Sequence, residues 1–377
     1  MKTSTISNEH WEEALKSLKK GDAFGFPRRR RSSVLIGTFN IRSLGSRDNR
    51  STQAWGLLTK ICKQYDLLAI QEVADDMEGL LYLMQLMGPG FGLIVSDITG
   101  AAPGRRGKAE RLAFIYRKSR VRPGPMASDI THDKTYTLNS LRNADVSWTR
   151  WLNDVTVKAK VPSFIGFIRT PHCVTFDILG KSRAAKPYQL TVVNAHLLYG
   201  TDKRERKWEF DALLEWLYVR AKNDDRMIYP DILMMGDCNV EFKDIGVKRE
   251  EVDALLKGLN ASLVKSRSPA RVNFPLLSEH PKHGMIRTNA RSTETYDQMA
   301  LFARDARLPG YEQNAQAGSA YNGWDYGVFN FVEMLSRAVY GESFDSLFAN
   351  ERKELAKGFQ WDISDHLPVW MRLRMPV

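Results

Sequence analysis

Cysteine is scarce in this chain. Cys62, Cys173 and Cys238 are its three thiols among 377 residues, with no Cys-x-x-Cys pair and no spacing that suits zinc. A sparse, odd set argues against a disulfide framework and for a reducing compartment. Long apolar runs are missing as well. None approaches the roughly 20 residues that cross a bilayer. The stretch from Met1 to Lys20 has no apolar core and no cleavage signal, so secretion by a signal peptide is not expected. A cytoplasmic setting is the expectation. No internal repeat or low-complexity tract is evident.

Apolar residues, in contrast, make up 43% of the chain and charged ones 26%, enough for a large core in an ordinary soluble protein. Positive charge prevails, with 55 Lys and Arg against 44 Asp and Glu, a net charge of +11. That excess favours anionic partners such as nucleic acid or an acidic membrane surface.

Asn8 to Lys20 reads as an amphipathic helix, with Trp11, Leu15 and Leu18 at helical spacing and Asn8 as its cap. Gly21 and Pro27 break it, and Arg28 to Arg31 follow as a block of positive charge. The block reads equally as a nucleic-acid arm or a solvated linker. Residues 1–31 are thus an N-terminal helix with a basic linker, and 32–377 the main domain. Within it, short apolar runs predict strands at 34–39, 67–70, 91–95, 111–117, 174–179, 189–194 and 232–235. Helical patterns cover 53–64, 77–87 and 203–222, with a helix-like run at 329–339. Such alternation indicates a layered α/β protein whose strands are buried on both sides. Residues 121–163 and 310–360 fit a minimal version poorly and read as insertions at loop positions.

Five apolar runs break into polar residues able to hold a metal and a phosphate. They are Thr38-Phe39-Asn40-Ile41-Arg42, Gln71-Glu72-Val73, Asn194-Ala195-His196, Gly236-Asp237-Cys238-Asn239 and Ser364-Asp365-His366-Leu367-Pro368. Singly, each has an ordinary explanation. Glu72 reads first as a strand-end ion pair, since a buried carboxylate needs a partner or a cation. Asp237 and Asn239 share one side of an extended segment, or form an Asx turn. His196 alone is more often structural. Two histidines, His196 and His366, can serve as general acid and base if carboxylates orient them. Glu110 and Asp297, each at an apolar segment, are the candidates. Spacing alone does not pair them.

The ordered series resembles the endonuclease/exonuclease/phosphatase superfamily, and most of all its deoxyribonuclease-I-like branch, over roughly residues 34–375. The resemblance implies a four-layered α/β sandwich, two packed mixed sheets flanked by helices, with the site on loops at one edge. It implies phosphate contacts from Arg42 and Arg169, a phosphate contact or support of the metal shell from Asn40, a metal held by Glu72 and Asp365, and the pair Asp237 and Asn239 at the attacked phosphate. It further implies two acid–histidine pairs, Glu110–His196 and Asp297–His366. Oxygen ligands suit Mg²⁺ or Mn²⁺, with Ca²⁺ a further candidate. Two departures bear on the substrate. Ala74-Asp75-Asp76 replaces an arginine that the nuclease places in the minor groove, and Lys108 replaces a tyrosine that packs on DNA. Arg105, Arg106 and Lys108 are candidates for other backbone contacts.

The expected activity is metal-dependent phosphodiester hydrolysis, with DNA the favoured substrate, cut with little sequence preference. A phosphatase or phospholipase acting on inositol phosphates or sphingomyelin shares the same core. A catalytically silent nucleic-acid-binding protein is the reading from another class.

Overall fold

A computed structural model describes residues 4–19, 23–100, 109–130, 145–149, 156–160, 167–200, 203–223, 228–240, 249–319 and 323–377. In chain order the helices are α1 (Asn8–Ser17), α2 (Thr52–Cys62), α3 (Glu78–Met87), α4 (Lys203–Lys222), α5 (Arg249–Lys265), α6 (Phe331–Tyr340) and α7 (Ala349–Asp362). The strands are β1 (Ser33–Leu44), β2 (Leu67–Ala74), β3 (Phe91–Val95), β4 (Glu110–Arg117), β5 (Val121–Asp129), β6 (Asp145–Thr149) and β7 (Thr156–Lys160). They continue as β8 (His172–Ile178), β9 (Tyr188–His196), β10 (Asp231–Asp237), β11 (Arg271–Asn273), β12 (Asp297–Ala303), β13 (Asp325–Val328) and β14 (Val369–Arg374).

Two six-stranded mixed sheets form, in the orders β13-β14-β1-β2-β4-β3 and β11-β12-β10-β9-β8-β5. Each has one parallel pair at its centre, β1 with β2 and β9 with β10. The other neighbours run antiparallel. β6 and β7 make a separate hairpin.

Strand periodicity explains the layers. On β1, Val34 and Ile36 face the second sheet, while Leu35, Phe39 and Ile41 face the helices. On β10, Leu233 and Met235 face inward, and Ile232 and Met234 pack toward α4 and α5. Both parities are apolar because both faces are covered, which is why these strands read as unbroken apolar runs. The helices α1, α2, α3, α6 and α7 cover the first sheet, and α4 and α5 the second. This is the four-layered α/β sandwich expected from the sequence.

At one edge the inner faces turn polar. Thr38 Oγ1 donates to Gln71 Oε1 at 3.2 Å, and Gln71 Nε2 donates across the sheets to Asn194 Oδ1 at 2.6 Å. Asn194 Nδ2 in turn donates to the Ile70 and Ala113 carbonyls. Buried polar groups must be paired, and this chain of amides satisfies itself while tying the sheets in register.

Several expectations change. Val121–Asp129 is the edge strand of the second sheet, paired with β8, rather than part of an insertion. The 310–360 stretch likewise supplies β13 and most of α7 to the first sheet and its helical layer, and the helix expected at 329–339 is α6. Both lack clear alternation because edge strands bury less. The N-terminal helix is fastened down, with Trp11 and Ala14 in the main core. Part of the basic block is also engaged. Arg28 donates to the Leu18 carbonyl, and Arg29 pairs with buried Asp66 at 3.2 Å.

Gly236 has a φ of +143°, and a Cβ there would lie 1.9 Å from the Ala195 carbonyl oxygen. Gly236→Ala is expected to lower stability by about 3 kcal/mol through strain and overpacking. A Cβ on Gly56 in α2 meets nothing within 4 Å, so Gly56→Ala should raise stability by about 0.5–1 kcal/mol. Urea midpoints at unchanged slope read both, and a neutral Gly236→Ala would contradict the close-approach account.

Candidate active site

All the chemistry lies on one edge because of strand direction. The parallel pairs deliver Asn40, Glu72, His196 and Asp237 toward their C-terminal ends. Antiparallel neighbours deliver residues at their starts, Glu110 on β4 and Asp297 on β12, with Asp365 and His366 just before β14. Inner-face parity aims most of them into one cleft of about 650 Å³.

Asp237, 1% exposed, is the hub. Its Oδ2 lies 3.7 Å from His196 Nε2 and 3.5 Å from His366 Nε2. It also accepts a hydrogen bond from Asn40 Nδ2 at 3.1 Å, while its Oδ1 accepts from the Asn239 backbone N–H at 2.9 Å. Each histidine is held from behind by a buried acid. His196 Nδ1 is 2.9 Å from Glu110 Oε2, and His366 Nδ1 is 2.9 Å from Asp297 Oδ2. The arrangement presents two Nε2 atoms and a carboxylate oxygen to one point.

Burial works against charge on His366, but Asp297, Asp237 and Asp365 together outweigh it and hold the imidazolium well above the usual histidine range. Burial also pushes the Asp297 carboxyl up, against the pull of His366. With two further carboxylates facing the histidine, the proton belongs on His366. Cys238, between the two motif residues, is fully buried, and burial followed by Asp237 drives its thiol well above the normal range. It is no nucleophile at neutral pH.

Glu72 reaches the cleft through a bulge. Strand alternation would turn it toward the helices with Leu68 and Ile70. The pairing with β4 shifts register between Ile70 and Val73, and Glu72 adopts a φ of +58°. Its carboxylate accepts from Asn40 Nδ2 at 3.2 Å and from the Ser43 backbone N–H at 2.9 Å. Ser43 and Asn239 also have positive φ, +46° and +51°. Left-handed non-glycine residues cost about 1–3 kcal/mol each and gather at functional sites. The turn at Asn239 replaces the extended geometry expected for Asp237 and Asn239. An Asx-type bond joins them, and both side chains still line the cleft.

The expected phosphate-binding residues are held by neighbours. Asn40 is fully buried and its amide donates to two carboxylates, the second kind of partner open to it beside a phosphate oxygen, so it arranges the acids. Arg169 grips Glu110, with Nε at 2.8 Å from Oε2, and donates through Nη1 to the Leu197 carbonyl. Arg42 pairs with Asp365 at 3.1 Å. Arg105, Arg106 and Lys108 lie outside the described residues. Sequence reasoning missed Arg50, whose guanidinium holds the Arg42 and Ser43 carbonyls. It also missed the cleft residues Tyr199, Arg291 and Gln360. None of these carries a motif; only proximity in space identifies them.

The donor set suits a hard cation. Asn40 Oδ1 is buried without a hydrogen-bond partner, beside an amide nitrogen that bridges Glu72 and Asp237. Asp237, Asp297 and His366 also offer ligand atoms within 4.8 Å of one another. Oxygen predominates and no thiolate takes part, so a divalent ion fits and a structural zinc does not.

No protein-family model and no curated protein matches the chain. Solved structures that resemble it include D. rerio TDP2 complexed with a single-strand DNA product, at 14% identity and a TM-score of 0.47, covering 91% of this chain and 100% of that one. The human Nocturnin catalytic domain with bound sulfate is similar at 14% identity and a TM-score of 0.46, over 92% of this chain and 96% of that one. An endonuclease/exonuclease/phosphatase family protein from Bacteroides thetaiotaomicron matches at 14% identity and a TM-score of 0.45, with the same coverage.

Proposed function

We propose that the protein is a divalent-metal-dependent phosphodiester hydrolase of the endonuclease/exonuclease/phosphatase superfamily, acting on nucleic acid and on DNA first. The observation that carries this reading is the convergence of Asp237 Oδ2 with the Nε2 atoms of two acid-anchored histidines. The net charge of +11 favours a polyanionic substrate over a small phosphoester.

Glu72 and Asp365 would hold Mg²⁺ or Mn²⁺, with Ca²⁺ a further candidate, and the bound ion supplies charge neutralisation at the phosphate oxygens. Asp237 orients a water for in-line attack on phosphorus. His196 takes the water's proton as the new P–O bond forms. His366, facing three carboxylates, gives a proton to the leaving oxygen as the old P–O bond breaks. Glu110 and Asp297 fix the two rings, and Arg169 fixes Glu110. Arg42, Arg169 and Asn239 line the cleft and supply N–H donors to the added negative charge.

Purified protein should nick supercoiled plasmid or cleave single-stranded circular DNA with Mg²⁺, and EDTA should stop it. His196→Ala should reduce the rate by about 10²–10⁴-fold. Clean wild-type protein that cuts neither DNA form in any divalent metal overturns the DNA reading. Strand binding with no turnover of any phosphodiester would instead mark a silent binding protein.

The donor role of His366 has its own signature. His366→Gln should lose about 10²–10⁴-fold on an ordinary diester and far less on one whose leaving group departs as a stable nitrophenolate. Equal losses on both substrates would remove His366 from the proton-donating role.

A further inference from the structure

Trp361, near the C-terminal end of α7, is 51% exposed. A single exposed aromatic is common and means little alone. What distinguishes this one is its setting. One face of the indole rests on the Arg42 guanidinium, 4.1 Å from the ring centroid. The same guanidinium bonds Asp365, and both Arg42 and Asp365 line the cleft, as does Gln360 next in sequence to Trp361.

The ring is also rigidly seated. Asp362, 1% exposed, accepts a hydrogen bond from Ser4 Oγ at 2.8 Å. Phe359 and Ile363 on either side are fully buried. Below, Arg50 holds the Arg42 carbonyl, and the Arg42 N–H donates to Ser364 Oγ at 3.3 Å. A planar aromatic surface therefore stands beside the cleft-lining Arg42, Gln360 and Asp365, with a cation against one face.

A flat, preorganised π-face beside an arginine suits one chemistry well, the stacking of a nucleobase whose phosphate continues into the cleft. We propose that Trp361 is the stacking platform for the base adjoining the scissile phosphate. The substrate then enters with that base out of a duplex stack, as a single strand or an unpaired end. A paired base in a helix has both faces occupied and must be extruded at a cost before it can stack elsewhere. This proposal rests on the nucleic-acid reading of the site and narrows it.

The test is equilibrium binding by fluorescence anisotropy, with EDTA present so that nothing turns over. The probes are a short labelled oligothymidine and the same backbone built from abasic tetrahydrofuran units. Wild-type protein should bind the base-bearing strand about ten-fold more tightly. Trp361→Ala should lose that preference, and Trp361→Phe should keep most of it. Equal affinity of the wild type for both strands, or failure to bind either, overturns the proposal. So does a Trp361→Ala variant that weakens both strands equally, because Trp361 then only props Arg42. Hydrolysis is measured separately, so loss of base preference and loss of catalysis remain distinguishable.

Discussion

The Asn40 side-chain amide donates to carboxylates that arrive from two different sheets, Glu72 on the first and Asp237 on the second. The site depends on this bridge. Two acids brought together would repel, and burial makes charge costly on Asp237 above all. An amide with two N–H groups relieves part of that cost and sets the spacing between them. Its oxygen is buried without a hydrogen-bond partner. The acids at the strand ends and the two acid-anchored histidines are thereby tied into one unit.

The scaffold reaches that arrangement by a simple progression. Along the inner faces of β1 and β9, apolar residues give way to an amide or hydroxyl, and then to a functional group. β1 runs Val34, Ile36, Thr38, Asn40, and β9 runs Leu190, Val192, Asn194, His196. The apolar part packs the sheets together. The Thr38–Gln71–Asn194 links hold their register just before the cleft. Beyond that layer, water-facing groups can be charged without disturbing the core. Three of the positive-φ residues, Ser43, Glu72 and Asn239, lie at this edge, where the surrounding hydrogen bonds hold them in place.

Much of this was legible in the sequence, for a definite reason. Strands covered on both faces leave unbroken apolar runs, and a polar residue at the end of such a run stands out. Phe91–Val95 and Lys203–Lys222 were read with the bounds they have. Asn40, His196 and Asp237 stood out by the same logic. Glu72 was found by its motif, but its route into the cleft was not visible, because a bulge changes parity without changing composition. The β5 and β13 edges were read as insertions because half-covered strands carry a weak pattern. Arg50 and Trp361 left no signal, since their roles depend on which turns fold beside them.

The pairing of β1 with β14 has a temporal side. Ser33 faces Arg374 and Thr38 faces Val369, so the strand that opens the sandwich is completed by the strand that ends it. His366 and Asp365 precede that last strand. A chain still being synthesised has its first acids and its first histidine but neither its second histidine nor the neighbour of β1. The two halves of the cleft can meet only once β14 has been made. Closing the first sheet thus joins strands from distant parts of the sequence, a non-local pairing of the kind that slows folding.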